Sequence, residues 1–271
     1  EGLGGLYERF RERLIYPIRD PSGQVVGFGG RLLGDGRGPK YLNSPESPLF
    51  HKGRVLYGLD LAGPDLKRLG TEAVVVEGYM DVIALHQAGI TQAVASLGTS
   101  FTQEQAALLK RYCDRAVIAY DGDAAGDRAT VRGLELLARE GVAVRVATLP
   151  PGEDPDSLAR RGGPAAVQQV LEEALPLTQF LLRRALGTEP PTTVEGKAEA
   201  VSRALPILAQ VENLVARAGY VEQVANKIGV SAAAVAAELE RYLEQARPPT
   251  GAGRRRPGAL PRAGTHDPAG A

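Results

Sequence analysis

The 271-residue sequence contains a single cysteine, Cys113. One thiol excludes an internal disulfide and a cysteine-rich zinc site within these residues, and it suits a reducing compartment. No apolar run reaches the roughly 20 residues needed to span a bilayer, and no stretch has the layout of a signal peptide. The expectation is a soluble, cytoplasmic protein without membrane association. An excess of one charge is lacking too, since 32 Lys and Arg balance 32 Asp and Glu. Net charge therefore says nothing about a polyanionic partner, and the distribution has to be read instead. Residues 1–70 carry 11 basic and 8 acidic side chains, residues 71–157 carry 7 and 13, and the remainder 14 and 11. An acidic centre with mildly basic flanks fits a metal site beside a phosphate path, although solvated faces produce similar swings. An initiating methionine is absent, and the opening residues read as the middle of a domain, so the expectation is a fragment. Its length and 44% hydrophobic content allow one large or two smaller domains.

What is present is organised around residues 73–156. Ala73-Val74-Val75-Val76 stops at Glu77-Gly78, and Ala116 to Tyr120 stops at Asp121-Gly122-Asp123. Val142 to Leu149 stops at Pro150-Pro151-Gly152, then Glu153-Asp154-Pro155-Asp156. Short β-branched runs bounded by Gly and Pro predict buried strands. The segments between them predict helices: Asp81 to Ala88, a segment capped by Thr102 with Gln105, and Ala124 to Glu140. Strands alternating with helices predict an α/β fold with a parallel sheet, whose carboxyl ends share one edge where ligands bind. The three acidic clusters are therefore expected to converge. Converging carboxylates repel one another, and hard oxygen donors at a sheet edge suit Mg²⁺ or Mn²⁺. Capping accounts for isolated acids such as Asp114, Glu135 and Glu140. It does not account for two buried strands that run straight into Glu77 and into Asp121-Gly-Asp123.

Glu77-Gly78-Tyr79-Met80-Asp81 followed by Asp121-Gly122-Asp123-Ala124-Ala125-Gly126 resembles the topoisomerase–primase (TOPRIM) domain. Lys40-Tyr41-Leu42-Asn43-Ser44-Pro45-Glu46, His51-Lys52-Gly53 and Gly152-Glu153-Asp154-Pro155-Asp156 extend the resemblance to the bacterial DNA primase family, from about Leu6 to Tyr242. The Glu…Asp-x-Asp pattern alone leaves topoisomerases and nucleases open; the Lys-Tyr-Leu-Asn-Ser-Pro-Glu segment points to primases. The resemblance implies an RNA-polymerising core that joins ribonucleoside triphosphates on a single-stranded DNA template. It implies that Glu77, Asp121 and Asp123 hold divalent metal, with Asp154 and Asp156 supporting a further ion and Asp81 orienting the site. It implies Lys40, Lys52 and Asn43 near the initiating nucleotide, and template running along Arg19, Arg31, Lys40, Lys52 and Arg54. It implies a zinc-binding domain before Glu1, a helicase-binding domain beyond the end of the chain, and a monomer. A strand-breaking TOPRIM enzyme, which for a topoisomerase needs a tyrosine nucleophile in a separate domain, and a non-catalytic DNA-binding module remain the alternatives.

On either side of the central region the chain changes character. Residues 1–70 predict part of an α+β subdomain, opening with a hairpin of Leu14 to Ile18, an Asp20-Pro21-Ser22-Gly23 turn and Gln24 to Phe28. Gly29-Gly30-Arg31 ends the second strand, either as a bulge beside a surface arginine or as a place where a nucleic-acid backbone approaches. Pro39 to Gly53 has no helical or strand period and predicts a proline-held loop, either a surface connector with solvated lysines, which composition favours, or a segment presenting lysines and an amide to phosphate, which the resemblance favours. Val55 to Leu69 predicts a helix leading into the TOPRIM domain, residues 71–157. Ser96 to Thr99 predicts a further strand-to-helix turn at the same edge. Residues 158–246 predict a helical subdomain, with helices over 165–186, 194–211 and 214–227 and a capping box of Thr192 with Glu195. Tyr220 to Leu243 mimics a helix-turn-helix. Its second helix has no basic or amide side chain before Arg241, so it predicts scaffold rather than base readout. Residues 247–271, rich in Pro, Gly and Arg, predict a disordered tail.

Overall fold

A computed structural model of the chain describes residues 8–34, 38–98, 101–121 and 128–246. Asp123, Thr99 and the predicted tail lie outside the described residues. The chain divides into two compact units at Leu181 and Leu182.

The first unit opens with an antiparallel sheet of β1 (Arg13–Arg19), β2 (Val25–Leu32) and β3 (Tyr41–Asn43), in that order. The β1–β2 turn forms where expected: Asp20 Oδ1 accepts from the backbone N–H groups of Ser22 (2.9 Å) and Gln24 (3.0 Å). Gly23, at φ 86°, takes the left-handed position that a side chain would strain. The bulge lies between Ile18 and Arg19, and Gly29 and Gly30 sit in regular ladder within β2. Their smallness serves packing: a Cβ on Gly29 would lie 2.6 Å from the Tyr79 ring, and one on Gly30 2.8 Å from Phe10. Tyr41–Asn43, predicted as loop, is a strand because it pairs with β2 in the register Gly29↔Asn43. Three residues are too short to carry a period of their own.

A 3-10 turn (Lys52–Arg54) and α1 (Leu59–Leu69) lead into the α/β layer. α1 begins four residues later than the apolar spacing suggested, because Tyr57 is occupied in a bridge to Ala95. β4 (Ala73–Val76), α2 (Tyr79–Gln87), β5 (Ala93–Ala95), α3 (Gln103–Lys110), β6 (Arg115–Ile118), α4 (Arg128–Arg139), β7 (Ala143–Val146), α5 (Pro155–Glu172) and β8 (Leu175–Pro176) follow. The sheet order is β5-β4-β6-β7-β8, parallel except where β8 runs antiparallel to β7. β8 falls inside the stretch predicted as continuous helix from 165. Alternate residues of β4 enter opposite cores: Val75 packs with Leu66, Leu109, Leu134 and Leu137, whereas Val74 and Val76 pack with Val82, Leu85 and Leu158. Helices cover both faces, as the near-continuous apolar strands require. A smaller cluster of Tyr16, Ile18, Phe50, Val55, Tyr79 and Leu97 joins the three-stranded sheet to the carboxyl edge of the parallel one.

The boundary between the units falls within α6 (Leu177–Leu186). The second unit packs the end of α6 with α7 (Val194–Ala209), α8 (Leu214–Ile228) and α9 (Ala232–Ala246) around Ala204, Leu208, Val224, Ile228 and Val235. α7 is capped by Thr193, whose side chain accepts from Gly196 N, one residue after the cap expected at Thr192. Gly229, at φ 73°, closes α8 by donating to Ala225 O at 2.9 Å. Among the described residues no helix is long and apolar enough to cross a membrane.

Candidate functional site

The carboxyl edge of the parallel sheet opens into a cleft of about 380 Å³. Glu77 follows β4, Asp121 lies three residues beyond β6, Asp154 and Asp156 open α5, and Asp81 sits in the first turn of α2; all five line the cleft. The predicted convergence thus follows from chain direction in a parallel sheet. Asp154 is the N-cap of α5, its Oδ1 accepting from Ser157 N at 2.6 Å. Asp156 is buried and ion-paired with Arg160, and Glu153 is buried and paired with Arg161. Asp81 is buried, and its Oδ2 accepts from Gly78 N at 3.1 Å. Burial pushes its pKa up to about 7, with Asp154 and Asp121 adding to the rise and the N–H groups of Gly78 and Asp156 opposing it. The charges of Asp121 and Asp154 therefore reach Asp81 across the cleft.

A cluster of carboxylates of this kind suits a hard divalent cation that keeps water and shares phosphate oxygens, although Arg160, paired with Asp156, lines the same cleft. Among the described residues no three His, Cys, Asp or Glu side chains come together closely enough to hold a metal ion. Asp123, the remaining expected ligand, lies outside the described residues.

The same cleft has basic lining as well. Arg31, Lys40, Asn43 and Lys52 line the same cleft. Arg31 Cζ and Lys40 Nζ each lie 5.8 Å from the centroid of the Tyr41 ring, a geometry in which the ring face attracts cations. Lys52 is half-buried and its ammonium pKa is lowered by that burial, while nearby Glu46 raises it. Glu46 also accepts from Lys52 N at 3.0 Å and pairs with His51. Two residues expected along the template, Arg19 and Arg54, do not line this cleft. Arg19 is exposed, donates to Gly23 O at 2.6 Å and lines a separate cleft with Tyr57 and His86. Arg54 is exposed on the 3-10 turn and does not line the acidic cleft.

Several contributors escaped sequence reasoning. Tyr79 is buried, stacked on Tyr16 (centroids 5.3 Å) and edge-on to Tyr57 (5.2 Å) and Tyr41 (5.7 Å). Its hydroxyl donates to Asn43 Oδ1, and burial pushes its pKa up to about 12. Gln105, recognised only as half of a capping box, is 0% exposed and donates through Nε2 to Val55 O (2.9 Å) and Lys52 O (3.1 Å). Arg160 had no sequence signal beyond lying one helical turn after Asp156. Of the Ser96–Thr99 turn, the described part holds the sheet edge: Gly98 N donates to Glu77 O at 3.2 Å.

Comparison with known proteins places these features in one family. Residues 1–63 match the model of the DNA primase catalytic core N-terminal domain, and residues 74–159 match a Toprim-like model. Residues 178–233 match the model of the DnaB-helicase binding domain of primase. That last match lies within the chain, in the stretch expected as a helical subdomain, where the expectation had placed such a domain beyond residue 271. The chain is 44% identical over 246 residues to the DNA primase of Escherichia coli K12, covering 90% of this chain and 42% of that protein. It is 46% identical over 212 residues to the DNA primase of Pseudomonas aeruginosa, covering 77% of this chain and 32% of that one. It thus spans about two fifths or less of these curated relatives. A crystal structure of a primase domain from P. aeruginosa superposes with a TM-score of 0.70 at 41% identity, covering 86% of this chain and 74% of that one. With three family models in chain order and a parallel-sheet edge built as a Toprim domain requires, the chain belongs to the bacterial DNA primase family.

Proposed function

We propose that the cleft is the polymerising centre of a primase, joining ribonucleotides on single-stranded DNA into RNA primers for replication. The observation that carries this reading is a single cleft lined both by carboxylates from three strand-to-helix turns and by Lys40, Asn43, Lys52 and Arg31. A solved relative, a primase catalytic domain bound to single-stranded DNA, supports the choice of template.

Glu77, Asp121 and Asp123, with Asp154 and Asp156, would hold Mg²⁺ or Mn²⁺. When bound, these ions supply Lewis acidity at the primer 3′-hydroxyl and offset charge on the departing pyrophosphate. Lys40 and Lys52 draw the triphosphate into the cleft, and Asn43 adds an amide contact. The depressed pKa of Lys52 marks a partly desolvated charge, which attracts phosphate more strongly than a hydrated one. Asp81 holds the Gly78 turn by accepting from Gly78 N–H. Template contacts are assigned to Arg31, Lys40 and Lys52, and Arg19 and Arg54 are assigned no direct part at the metal wall. The second unit would dock the replicative helicase through residues 178–233. The protein would act as a cytoplasmic monomer, with zinc confined to an upstream domain such as that in the Aquifex aeolicus primase structure containing zinc-binding and RNA polymerase domains.

The test is template-directed incorporation of labelled ribonucleotide with Mg²⁺ or Mn²⁺. Glu77→Gln, Asp121→Asn and Asp123→Asn should each abolish incorporation while far-ultraviolet circular dichroism is unchanged. Near-normal synthesis by any two of them would overturn the assignment.

A further inference from the structure

Asn43 is held from two sides. Its backbone carbonyl accepts from Arg9 Nε at 3.1 Å and from a terminal Arg9 nitrogen at 3.0 Å. Its side-chain Oδ1 accepts from the Tyr79 hydroxyl. A primary amide has one accepting end and one donating end. With Oδ1 turned to the phenol, the NH₂ end is the one left for the cleft that Asn43 lines. Tyr79 itself has little freedom, being buried, stacked on Tyr16 and boxed by Tyr41 and Tyr57. The strand behind it accommodates the ring because position 29 carries no side chain; a Cβ there would sit 2.6 Å from Tyr79 Cζ and Oη. Gly29 is not among the positive-φ glycines, so the ring rather than the backbone demands it.

We propose that Tyr79 is a positioning residue that fixes the Asn43 amide with its donor end toward the cleft. The site then offers N–H groups, and no lone pairs, to an acceptor oxygen of the incoming ribonucleotide. This rests on reading the cleft as a ribonucleotide site. An unrestrained asparagine samples both amide orientations, and one of them turns its oxygen toward an anionic triphosphate. The bond donated by the phenol to Oδ1 biases the amide against that orientation and restricts its rotamer freedom. Lys40 and Lys52 act on net charge and would attract any polyanion. The fixed amide edge adds a directional requirement that they lack.

The experiment is calorimetric titration of the chain with ATP in Mg²⁺, for wild type, Tyr79→Phe, Asn43→Ala, the double variant and Asn43→Asp. Tyr79→Phe keeps the ring stack and loses only the hydroxyl, so ATP affinity should fall about three- to tenfold. Mg²⁺ binding without nucleotide should be unchanged. The double variant should bind no more weakly than Asn43→Ala alone, because the phenol acts through the amide. Asn43→Asp can still accept from Tyr79 but turns an oxygen to the nucleotide, and should bind more weakly than Asn43→Ala. A merely structural contact predicts the reverse order. Additive losses in the double variant, a milder effect of Asp than of Ala, or loss of Mg²⁺ binding in Tyr79→Phe would overturn the proposal. So would wild-type affinity in Tyr79→Phe beside a weakened Asn43→Ala, which leaves the ribonucleotide reading standing. Full affinity in Asn43→Ala would likewise overturn the proposal alone, whereas failure of the wild type to bind ATP would overturn both.

Discussion

Replacing Gln105 should loosen the loop that carries Lys52, although Gln105 itself does not line the cleft. Its Nε2 donates to Val55 O at 2.9 Å and Lys52 O at 3.1 Å, with a longer approach to Ser96 O at 3.4 Å. Its Oε1 accepts from Thr102 N at 3.1 Å, and Thr102 Oγ1 donates to Gly53 O at 2.5 Å. One amide thus ties the lysine loop to the start of α3 and the end of β5. Gln105→Met keeps the length and apolar stem but leaves Val55 O, Lys52 O and Thr102 N without their partner. A buried polar group left unsatisfied costs about 1–3 kcal/mol. Val55 O lies fully inside and the other two are partly exposed, so the expected loss is about 3–5 kcal/mol. That is a large share of the roughly 5–15 kcal/mol typical of a domain. Urea denaturation measures the loss, and native-state hydrogen exchange over residues 50–57 locates it. Gln105→Glu adds a signature in pH. Its carboxylate would face two carbonyls in a dry site, which raises its folded pKa above the unfolded value near 4.3. The folded state then binds more protons than the unfolded one, so the deficit should grow as pH rises above about 4.3 and level off past the folded pKa. A Gln105→Met variant within about 1 kcal/mol of wild type, with unchanged exchange protection at 52–55, would refute the reasoning and leave the loop held by Phe50 and Val55 packing alone.

Asp81→Asn should stabilise the metal-free protein in chelator, because the amide oxygen still accepts from Gly78 N while the buried charge is gone. The rise from 3.8 to about 7 corresponds to at most about 4 kcal/mol at about 1.4 kcal/mol per pH unit. A gain of about 2–4 kcal/mol at pH 8 that vanishes near pH 4 is expected, since a raised carboxylate pKa makes wild-type stability fall as pH climbs through that window. A difference that stays constant with pH in thermal melts would contradict this. Lys40→Ala and Lys52→Ala should each weaken ATP binding by about 1–3 kcal/mol while Mg²⁺ affinity in the absence of nucleotide holds. Parallel loss of both ligands in calorimetry would show that the carboxylates and the lysines do not divide the work.

The acidic wall was legible because it depends on local pattern and chain direction alone. β-branched runs that stop at Glu77, Asp121 and Asp154 mark strand ends, and a parallel sheet puts those ends on one edge. Helices, caps such as Thr102 and the hairpin turn at Asp20 were equally local. The sequence by itself thus determined the layers and the acidic edge. It could not determine partners that lie far apart in the chain. Tyr41–Asn43 became a strand only by pairing with β2, and the Thr193 cap displaced Thr192 when α7 took its place in the second unit. Arg31 joined the cleft while Arg19 and Arg54 did not, a difference that residue type does not show. The amide of Gln105 reaches carbonyls at Lys52 and Val55, and the phenol of Tyr79 reaches Asn43, 36 residues earlier in the chain. Such bonds exist only once packing has excluded water and brought distant acceptors within reach of each buried donor, and that was decided by the tertiary structure.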